Sequence, residues 1–247
     1  MLSKTHTKYI QTLHHKKFRD EYGAFIAEGP KVVLDLLEGE KFVCKELIAL
    51  DKWLNEHPLL HTKFKETEFT RVQDFELEKI STLSTPNAVL AIFEKQKENS
   101  DINVTGQITL VLDTIQDPGN LGTIIRIADW FGINNIICSP GCADMYNPKV
   151  VQSTMGSLGR INIFYTNPVE WLQKNESTTI YAATLKGKPV KLIKNISEGI
   201  IIIGNESNGI SDEILALVNE EITIPKTGKA ESLNAAVATG IILSHIR

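Results

Sequence analysis

The feature that most constrains this chain is a repeated alternation of short β-branched segments with helical segments after residue 107. Short runs rich in isoleucine and valine fit strands that are buried on both faces, as in a parallel sheet covered by helices. The predicted strands are 108–113, 135–139, 162–166, 179–184, 199–204 and 221–225. The sequence therefore predicts an α/β fold with a parallel sheet over residues 108–247.

The first part of the chain, residues 1–96, predicts a smaller α/β domain. A helix leads into a short extended segment, and a second helix stops near Gly39. The predicted extended segments are 24–27, 45–50 and 88–95. Residues 97–107 are polar and show no periodicity, so we interpret them as a linker between two domains.

Charge is distributed unevenly along the chain. The formal net charge is −4 and the isoelectric point is about 5.9, which argues mildly against nucleic-acid binding. Residues 1–31, however, carry six Lys and Arg side chains against three Asp and Glu. This basic segment fits a surface that faces phosphates, although charge alone equally fits a solvated helix face.

Several classes of protein are not expected. The first twenty residues lack the apolar core of a signal peptide, and no apolar run is long enough to cross a bilayer. The three cysteines, Cys44, Cys138 and Cys142, form an odd set without a disulfide framework, which favours a reducing cytoplasm. Cys138 and Cys142 have too few neighbouring ligands for zinc, so we expect buried thiols and no metal site.

Three loops that follow predicted strands carry unusual polar and glycine content. In a parallel sheet, ligands bind at the carboxyl ends of the strands, where these loops lie. The first loop contains Asn120 and leads into a helix with Arg126; the second, 204–211, is rich in Gly and Asn. The third, 222–234, delivers Lys226, Lys229, Ser232 and Asn234 to the start of an apolar helix.

Several of these residues, but not Asn234, also have a purely structural interpretation. Asn120 and Ser232 fit helix caps, Leu233 fits a core position, and the Gly-rich second loop fits a plain turn. The second loop matches neither GxGxxG nor GxxxxGK[ST], which lowers the expectation of an ordinary dinucleotide or triphosphate site. A nucleotide-dependent oxidoreductase is therefore disfavoured.

The three loop segments resemble an ordered set of family motifs. "DPGNLGTIIRIADWFG", "IIIGNESNGIS" and "ITIPKTGKAESLNAAVA" are similar to the three motifs of the SpoU (TrmH-like) class of SPOUT RNA methyltransferases, which methylate ribose 2′-hydroxyls. The N-terminal stretch "FRDEYGAFIAEGPKVVLDLL" resembles the substrate-binding domain, similar to ribosomal protein L30e, that precedes the catalytic domain in many members.

The resemblance implies a fold, a cofactor and a set of site residues. It implies a C-terminal SPOUT domain with a trefoil knot, S-adenosylmethionine as cofactor, and a homodimer. The reaction centre would contain Asn120, Arg126, Glu206, Ser232 and Asn234. The cofactor would be bound by Thr184, Leu185, Gly204, Asn205, Gly209, Ile224, Ser232 and Leu233. We expect RNA contacts from Lys16, Lys17, Arg19, Lys149 and Lys226.

The expected chemistry centres on Arg126. A guanidinium stays protonated at neutral pH, so we expect it to grip a substrate phosphate and stabilise a developing alkoxide. The segment 147–164 departs from the family pattern at Gln152 and Gly159, which puts RNA contacts there in doubt. The L30e-like domain favours ribosomal RNA over tRNA as substrate, and a non-catalytic RNA-binding homologue is the alternative from another functional class.

Overall fold

The computed structural model describes residues 2–96, 102–193 and 196–247. Residues 97–101 of the predicted linker lie outside these described ranges, and residues 102–107 contain no helix or strand. The chain divides into two compact units. The first contains the described part of Met1–Lys97 together with Tyr146–Arg160. The domain boundaries predicted from the sequence assign this second segment to the C-terminal domain. The second contains the described residues of 98–145 and Ile161–Arg247.

The elements follow in chain order. The helices are α1 (Lys4–Thr12), α2 (Lys16–Tyr22), α3 (Pro30–Glu38), α4 (Asp51–Glu56), α5 (Leu60–Lys63), α6 (Asp74–Ile80), α7 (Pro118–Trp130), α8 (Pro148–Thr154), α9 (Pro168–Lys174), α10 (Asp212–Leu215) and α11 (Ala235–Ile246). The strands are β1 (Ala24–Glu28), β2 (Cys44–Leu50), β3 (Glu68–Val72), β4 (Val89–Glu94), β5 (Ile108–Leu112), β6 (Asn135–Cys138), β7 (Asn162–Tyr165), β8 (Ile180–Pro189), β9 (Gly199–Ile203) and β10 (Glu220–Thr223).

The first unit contains a four-stranded mixed sheet in the order β1-β4-β2-β3. Strand β4 is antiparallel to both β1 and β2, whereas β2 and β3 run parallel. One apolar core includes residues from α1, α6 and all four strands, among them Ile10, Leu13, Ile26, Ile48, Leu77, Ile80 and Leu90. The single N-terminal helix of the sequence prediction is in fact two helices, α1 and α2, because the chain turns at residues 13–15.

Strand β3 and helices α4 to α6 were absent from the sequence prediction. Strand β3 lies at the edge of its sheet and has the sequence EFTRV, in which only Val72 is fully buried. Edge strands carry charged side chains because one side of the strand is unpaired, and this weakens the apolar alternation that identifies a strand.

Arg19 is a correction to the predicted set of RNA-binding residues. Its side chain is 2% exposed, and Nη1 donates hydrogen bonds to the carbonyl oxygens of Leu13 (3.0 Å) and His14 (2.9 Å). These carbonyls lie at the C-terminal end of α1, where backbone acceptors have no partner within the helix. Arg19 therefore holds α1 and α2 together and is not accessible to RNA.

The second unit contains a six-stranded sheet in the order β10-β8-β9-β5-β6-β7, and every neighbouring pair is parallel. This confirms the predicted parallel sheet. Its central strands β5 and β9 are buried throughout, as their Ile-rich and Val-rich sequences predict. The carboxyl ends of β5 and β9 lie side by side, with Leu112 paired to Ile203, and this pairing brings the first two glycine-bearing loops together.

Within the described ranges, no helix combines the length and the apolar character that a membrane span requires.

Candidate active site

In the first loop of the second unit, Asn120 does not cap helix α7. Asp117, not Asn120, caps helix α7: its carboxylate accepts a hydrogen bond from the Asn120 backbone amide at 2.8 Å. Pro118 occupies the first helical position, where its missing N–H costs nothing. The capping interpretation of Asn120 is therefore wrong, and its side-chain amide is available for other contacts.

A chain of side-chain hydrogen bonds joins all three loops. Asn120 Nδ2 donates to Glu206 Oε1 in the second loop, and Asn234 Nδ2 in the third donates to Asn120 Oδ1 at 2.8 Å. We call Glu206, Asn120 and Asn234 the polar chain. Both amides are oriented by their partners, because each nitrogen must donate and each oxygen must accept. Three of the five residues predicted for the reaction centre therefore lie in contact.

Asn234 rather than Ser232 caps the last helix. Asn234 Oδ1 accepts hydrogen bonds from the backbone amides of Ala236 (3.0 Å) and Val237 (3.2 Å) at the start of α11. Ser232 lies before this cap and is exposed. The expectation that Ser232 caps the helix is wrong, and the amide of Asn234 has two functions: its oxygen caps α11 while its nitrogen contacts Asn120.

The second loop is closed tightly upon itself. A Cβ atom at Gly204 would lie 2.4 Å from the carbonyl carbon of Gly209, so no larger residue fits without moving the backbone. Asn205 and Gly209 exchange backbone hydrogen bonds of 2.9 Å, and Gly209 has a φ of +71°. This turn fixes the position of Glu206, which lies inside it.

The side chain of Asn205 is used within the protein. Its Oδ1 accepts from the backbone amides of Ser207 (2.9 Å) and Asn208 (3.1 Å), and its Nδ2 donates to the Thr114 carbonyl at 2.8 Å. Asn205 was predicted to bind the cofactor. The structure gives its side chain a positioning role, because it attaches the second loop to the end of β5.

Asp113 is a functional candidate that the sequence analysis missed. It is 7% exposed; one carboxylate oxygen accepts from Thr114 Oγ1 at 3.0 Å and the other from the Ser211 backbone amide at 2.9 Å. It therefore holds the far end of the second loop, as Asn205 holds the near end. An ionisable residue that directly follows a buried strand was the available sequence signal.

Arg126 stands apart from the polar chain. It follows Asn120 by six residues on α7, which is a rise of about 9 Å along the helix axis. Its side chain is exposed, and it forms no hydrogen bond or ion pair with any residue that the structure describes. The guanidinium therefore keeps all its donors available for a ligand.

The remaining residues predicted to bind the cofactor differ in accessibility. Thr184 Oγ1 donates to Glu221 Oε2 at 2.8 Å, so this hydroxyl is already engaged. Leu185 and Leu233 are apolar side chains that are 75% and 45% exposed, and Ile224 is half-buried.

The backbone of 224–233 is the least engaged part of the third loop. It forms no backbone hydrogen bond with any other residue in the described part of the chain. Exposed apolar side chains beside unpaired backbone amides and carbonyls are the surroundings in which proteins hold small aromatic ligands.

The predicted RNA contacts fall in both units. Lys16 and Lys17 are exposed on α2, and Lys149 is exposed at the start of α8, all in the first unit. Lys226 is exposed in the third loop of the second unit. Arg160, near the predicted departures from the family pattern, forms an ion pair with Asp35 at 3.4 Å.

The two neighbouring cysteines support the first loop. The Cys142 thiol donates to the Leu112 carbonyl and accepts from the Ile115 amide, each at 3.3 Å. A hydrogen bond from Cys138 is the largest of several effects that lower the pKa of Cys142 to about 7, and burial opposes them. Cys138 is fully buried and its pKa is raised. In the part of the chain that the structure describes, no cluster of His, Cys, Asp or Glu is arranged to hold a metal ion.

Comparison with known families identifies the chain. Residues 107–244 match the family described as the SpoU rRNA Methylase family, and residues 4–91 match the MRM3-like substrate binding domain. The chain belongs to the SpoU rRNA methylase family. The recognition made from the three loop motifs is therefore confirmed, and all three motifs lie within the matched range.

Individual relatives cover nearly the whole chain. The 23S rRNA (guanosine(2553)-2′-O)-methyltransferase RlmP of Bacillus subtilis is 30% identical, with 95% of this chain and 93% of RlmP covered. An AdoMet-bound rRNA methyltransferase from Sinorhizobium meliloti is 32% identical with a TM-score of 0.89, covering 100% of this chain and 96% of that one. The SpoU methyltransferase AviRb from Streptomyces viridochromogenes, also solved with AdoMet, is 26% identical with a TM-score of 0.85, covering 99% and 97%.

The anchoring of the second loop by Asp113 generates a stability prediction. Asp113→Ala leaves the Ser211 amide without its acceptor, which should lower the free energy of unfolding by about 1–3 kcal/mol in urea denaturation. Asp113→Asn should recover most of this loss, because an amide oxygen can accept the same hydrogen bond. Asp212→Ala, which removes an exposed carboxylate next to Ser211, is the control. An Asp113→Ala protein as stable as the wild type would contradict the anchoring role.

Proposed function

We propose that this protein transfers a methyl group from S-adenosylmethionine to a ribose 2′-hydroxyl of ribosomal RNA. The observation that carries the proposal is the polar chain, because it brings three family motifs, far apart in sequence, to one place at the carboxyl ends of the parallel strands. The similarity to RlmP, which is named for ribose methylation of 23S rRNA, supports the same reaction class.

The loops of the second unit fit the cofactor chemically. The unpaired backbone groups of 224–233 offer donors and acceptors to an adenine edge, and Leu185, Ile224 and Leu233 offer apolar surface to its ring. S-adenosylmethionine supplies a methyl group on a positively charged sulfur. The closed turn at Gly204 and Gly209 would limit how far the loops can yield around it.

Arg126 and Glu206 are the residues that we propose to act on the RNA. Arg126 stays protonated, so it would bind a phosphate or stabilise negative charge on the 2′-oxygen rather than accept a proton. Glu206 uses Oε1 for Asn120, and its other carboxylate oxygen has no partner among the described residues. We propose that this oxygen accepts a hydrogen bond from a ribose hydroxyl.

Ribosomal RNA is the substrate that we favour over tRNA. RlmP and the Sinorhizobium meliloti enzyme are both named for rRNA, and each matches along both units of this chain. We place the activity in the cytoplasm, since Cys44, Cys138 and Cys142 are free thiols that fit a reducing compartment. The trefoil knot that the family resemblance implies remains a prediction.

The homodimer that the resemblance implies has a candidate surface in the second unit. Helices α7 and α11 pack together, with Ile127 beside Gly240. Trp130 on α7 is 85% exposed and Val237 on α11 is 50% exposed. Large apolar side chains at a surface are typical of protein contacts, and we propose that a second copy of the chain covers this pair of helices.

Replacing Arg126 tests the proposed chemistry. Arg126→Ala should reduce kcat about 100- to 1,000-fold, the effect of removing a donor that stabilises transition-state charge. Its affinity for S-adenosylmethionine, measured by calorimetric titration, should stay within about threefold of wild type. Lys174→Ala is the control, because it removes an exposed cation at the C-terminal end of α9. Normal turnover by Arg126→Ala would refute the assignment.

Replacing Trp130 tests the proposed dimer. By size-exclusion chromatography with light scattering, the wild type should have twice the chain mass of 27.5 kDa. The Trp130→Glu variant should have the mass of one chain, because a carboxylate buried in the interface opposes association. Leu59→Glu places the same charge on a 77% exposed leucine of the first unit and should leave the mass unchanged. A wild-type protein that elutes as a monomer at micromolar concentration would contradict the dimer.

A further inference from the structure

Three aromatic rings form a cluster at the surface of the first unit. Tyr9 of α1 meets Tyr22 of α2 edge to face, with ring centroids 5.2 Å apart. Phe18, one turn earlier on α2, lies nearly parallel to Tyr22 at 6.3 Å, with 16° between the ring planes. Tyr22 is 43% exposed, and the other two rings are half-buried. We call these three residues the aromatic patch.

The patch is held rigidly by the turn between its two helices. The buried guanidinium of Arg19 binds the carbonyls of Leu13 and His14, which fixes the angle at which α2 leaves α1. Gly23 then ends α2 in a left-handed conformation with a φ of +59°, directly after Tyr22. Tyr22 therefore presents its ring from a fixed position at the end of a helix.

The two helices that carry the patch have more positive than negative side chains. Exposed Lys4, Lys8, Lys16 and Lys17 lie on α1 and α2 against two carboxylates, Asp20 and Glu21. Asp20 is neutralised by an ion pair with Lys95 at 2.5 Å. Lys17 Nζ lies 5.7 Å from the centre of the Phe18 ring, so a cation adjoins the aromatic surface itself.

A second exposed aromatic residue of the same unit has the opposite surroundings. Phe75 on α6 is 51% exposed, and the ammonium of Lys79 lies 5.0 Å from its ring centre. Helix α6 also carries Asp74, Glu76 and Glu78, so its net charge is negative. An exposed aromatic ring and a nearby lysine are thus common to both places, and of these two places the aromatic patch is the one with excess positive charge.

We propose that unpaired bases of the substrate RNA stack on Tyr22 of the aromatic patch while Lys16 and Lys17 bind the adjacent phosphates. The inference rests on the proposed RNA-methyltransferase function and extends it by assigning the surface of the first unit that contacts RNA. Stacking on exposed rings beside cations is how proteins hold single-stranded nucleic acid, because every base has an aromatic face. A duplex keeps its bases stacked inside and offers them no such contact, so loops or bulges are the fitting targets.

The test measures RNA affinity and catalysis separately on the full chain. The probe is unmodified 23S rRNA transcribed in vitro, with binding followed by fluorescence anisotropy and methyl transfer by incorporation of labelled methyl. Tyr22→Ala should weaken RNA binding and raise the KM for RNA about 5- to 100-fold, the range expected for loss of one base stack. Its kcat and its affinity for S-adenosylmethionine should change less than twofold.

Companion variants separate stacking from folding and from charge. Tyr22→Trp keeps an aromatic face and should bind RNA within twofold of wild type, whereas Phe75→Ala removes an exposed ring of the acidic helix and should have no effect. The double variant Lys16→Gln/Lys17→Gln should weaken binding and lower the slope of log affinity against log salt by about 1.4, from two fewer phosphate contacts on a single strand. Tyr22→Ala should leave that slope unchanged.

The outcomes distinguish this inference from the proposed function. The inference would be overturned if Tyr22→Ala bound RNA within twofold of wild type, or if Tyr22→Ala and Phe75→Ala lost equal RNA affinity. In either case, methylation by the wild type would still support the proposed function. Conversely, Tyr22-dependent RNA binding without methyl transfer by the wild type would support the inference and contradict the proposed function.

Discussion

The hydrogen bonds from Asn234 to Asn120 and from Asn120 to Glu206 are the constraint on which the site depends. They join residues separated by 114 and 86 positions in the sequence, so no local preference could assemble them. Asn120 is the central member, because its amide donates to one loop and accepts from another. Through Asn120, the third loop is joined to the first loop and the first loop to the second.

The parallel sheet makes this meeting possible. Strands β5 and β9 are neighbours, so the loops that leave them begin side by side. Buried Asp113 and half-buried Asn205 then attach the second loop to the end of β5. The third loop approaches from β10 and ends at α11, where the Asn234 cap fixes its last residue. Rigid strands and a capped helix thus fix the orientation of polar side chains that flexible loops alone would not hold in place.

Much of this architecture was predictable from the sequence. The isoleucine-rich strands gave a strong signal, because they are short, buried on both faces and separated by amphipathic helices. The three loops that were predicted to share one site do meet, through the hydrogen bonds among Glu206, Asn120 and Asn234. Their assignment to one family rested on the residue motifs, which no argument from periodicity could replace.

The individual structural roles of the polar residues were not predictable from the sequence. Asp117 and Asn120 both suit a helix cap, as do Ser232 and Asn234, and residue type alone does not decide which member of each pair caps. Arg19 looked like a member of a basic surface, yet the turn between α1 and α2 buries it against two carbonyls. The roles of Asp113 and Asn205 likewise depend on partners that only the folded chain brings near.

A double-mutant cycle on Asn120 and Glu206 tests most directly whether the loops act as one unit. The measured quantity is kcat/KM for methyl transfer by wild type, Asn120→Ala, Glu206→Ala and the double variant. Because each single change already breaks the contact, the double variant should be about as impaired as the worse single one, with a coupling free energy of roughly 1 kcal/mol or more. Losses that simply multiply would show that the two residues act independently and would contradict a site built on their contact.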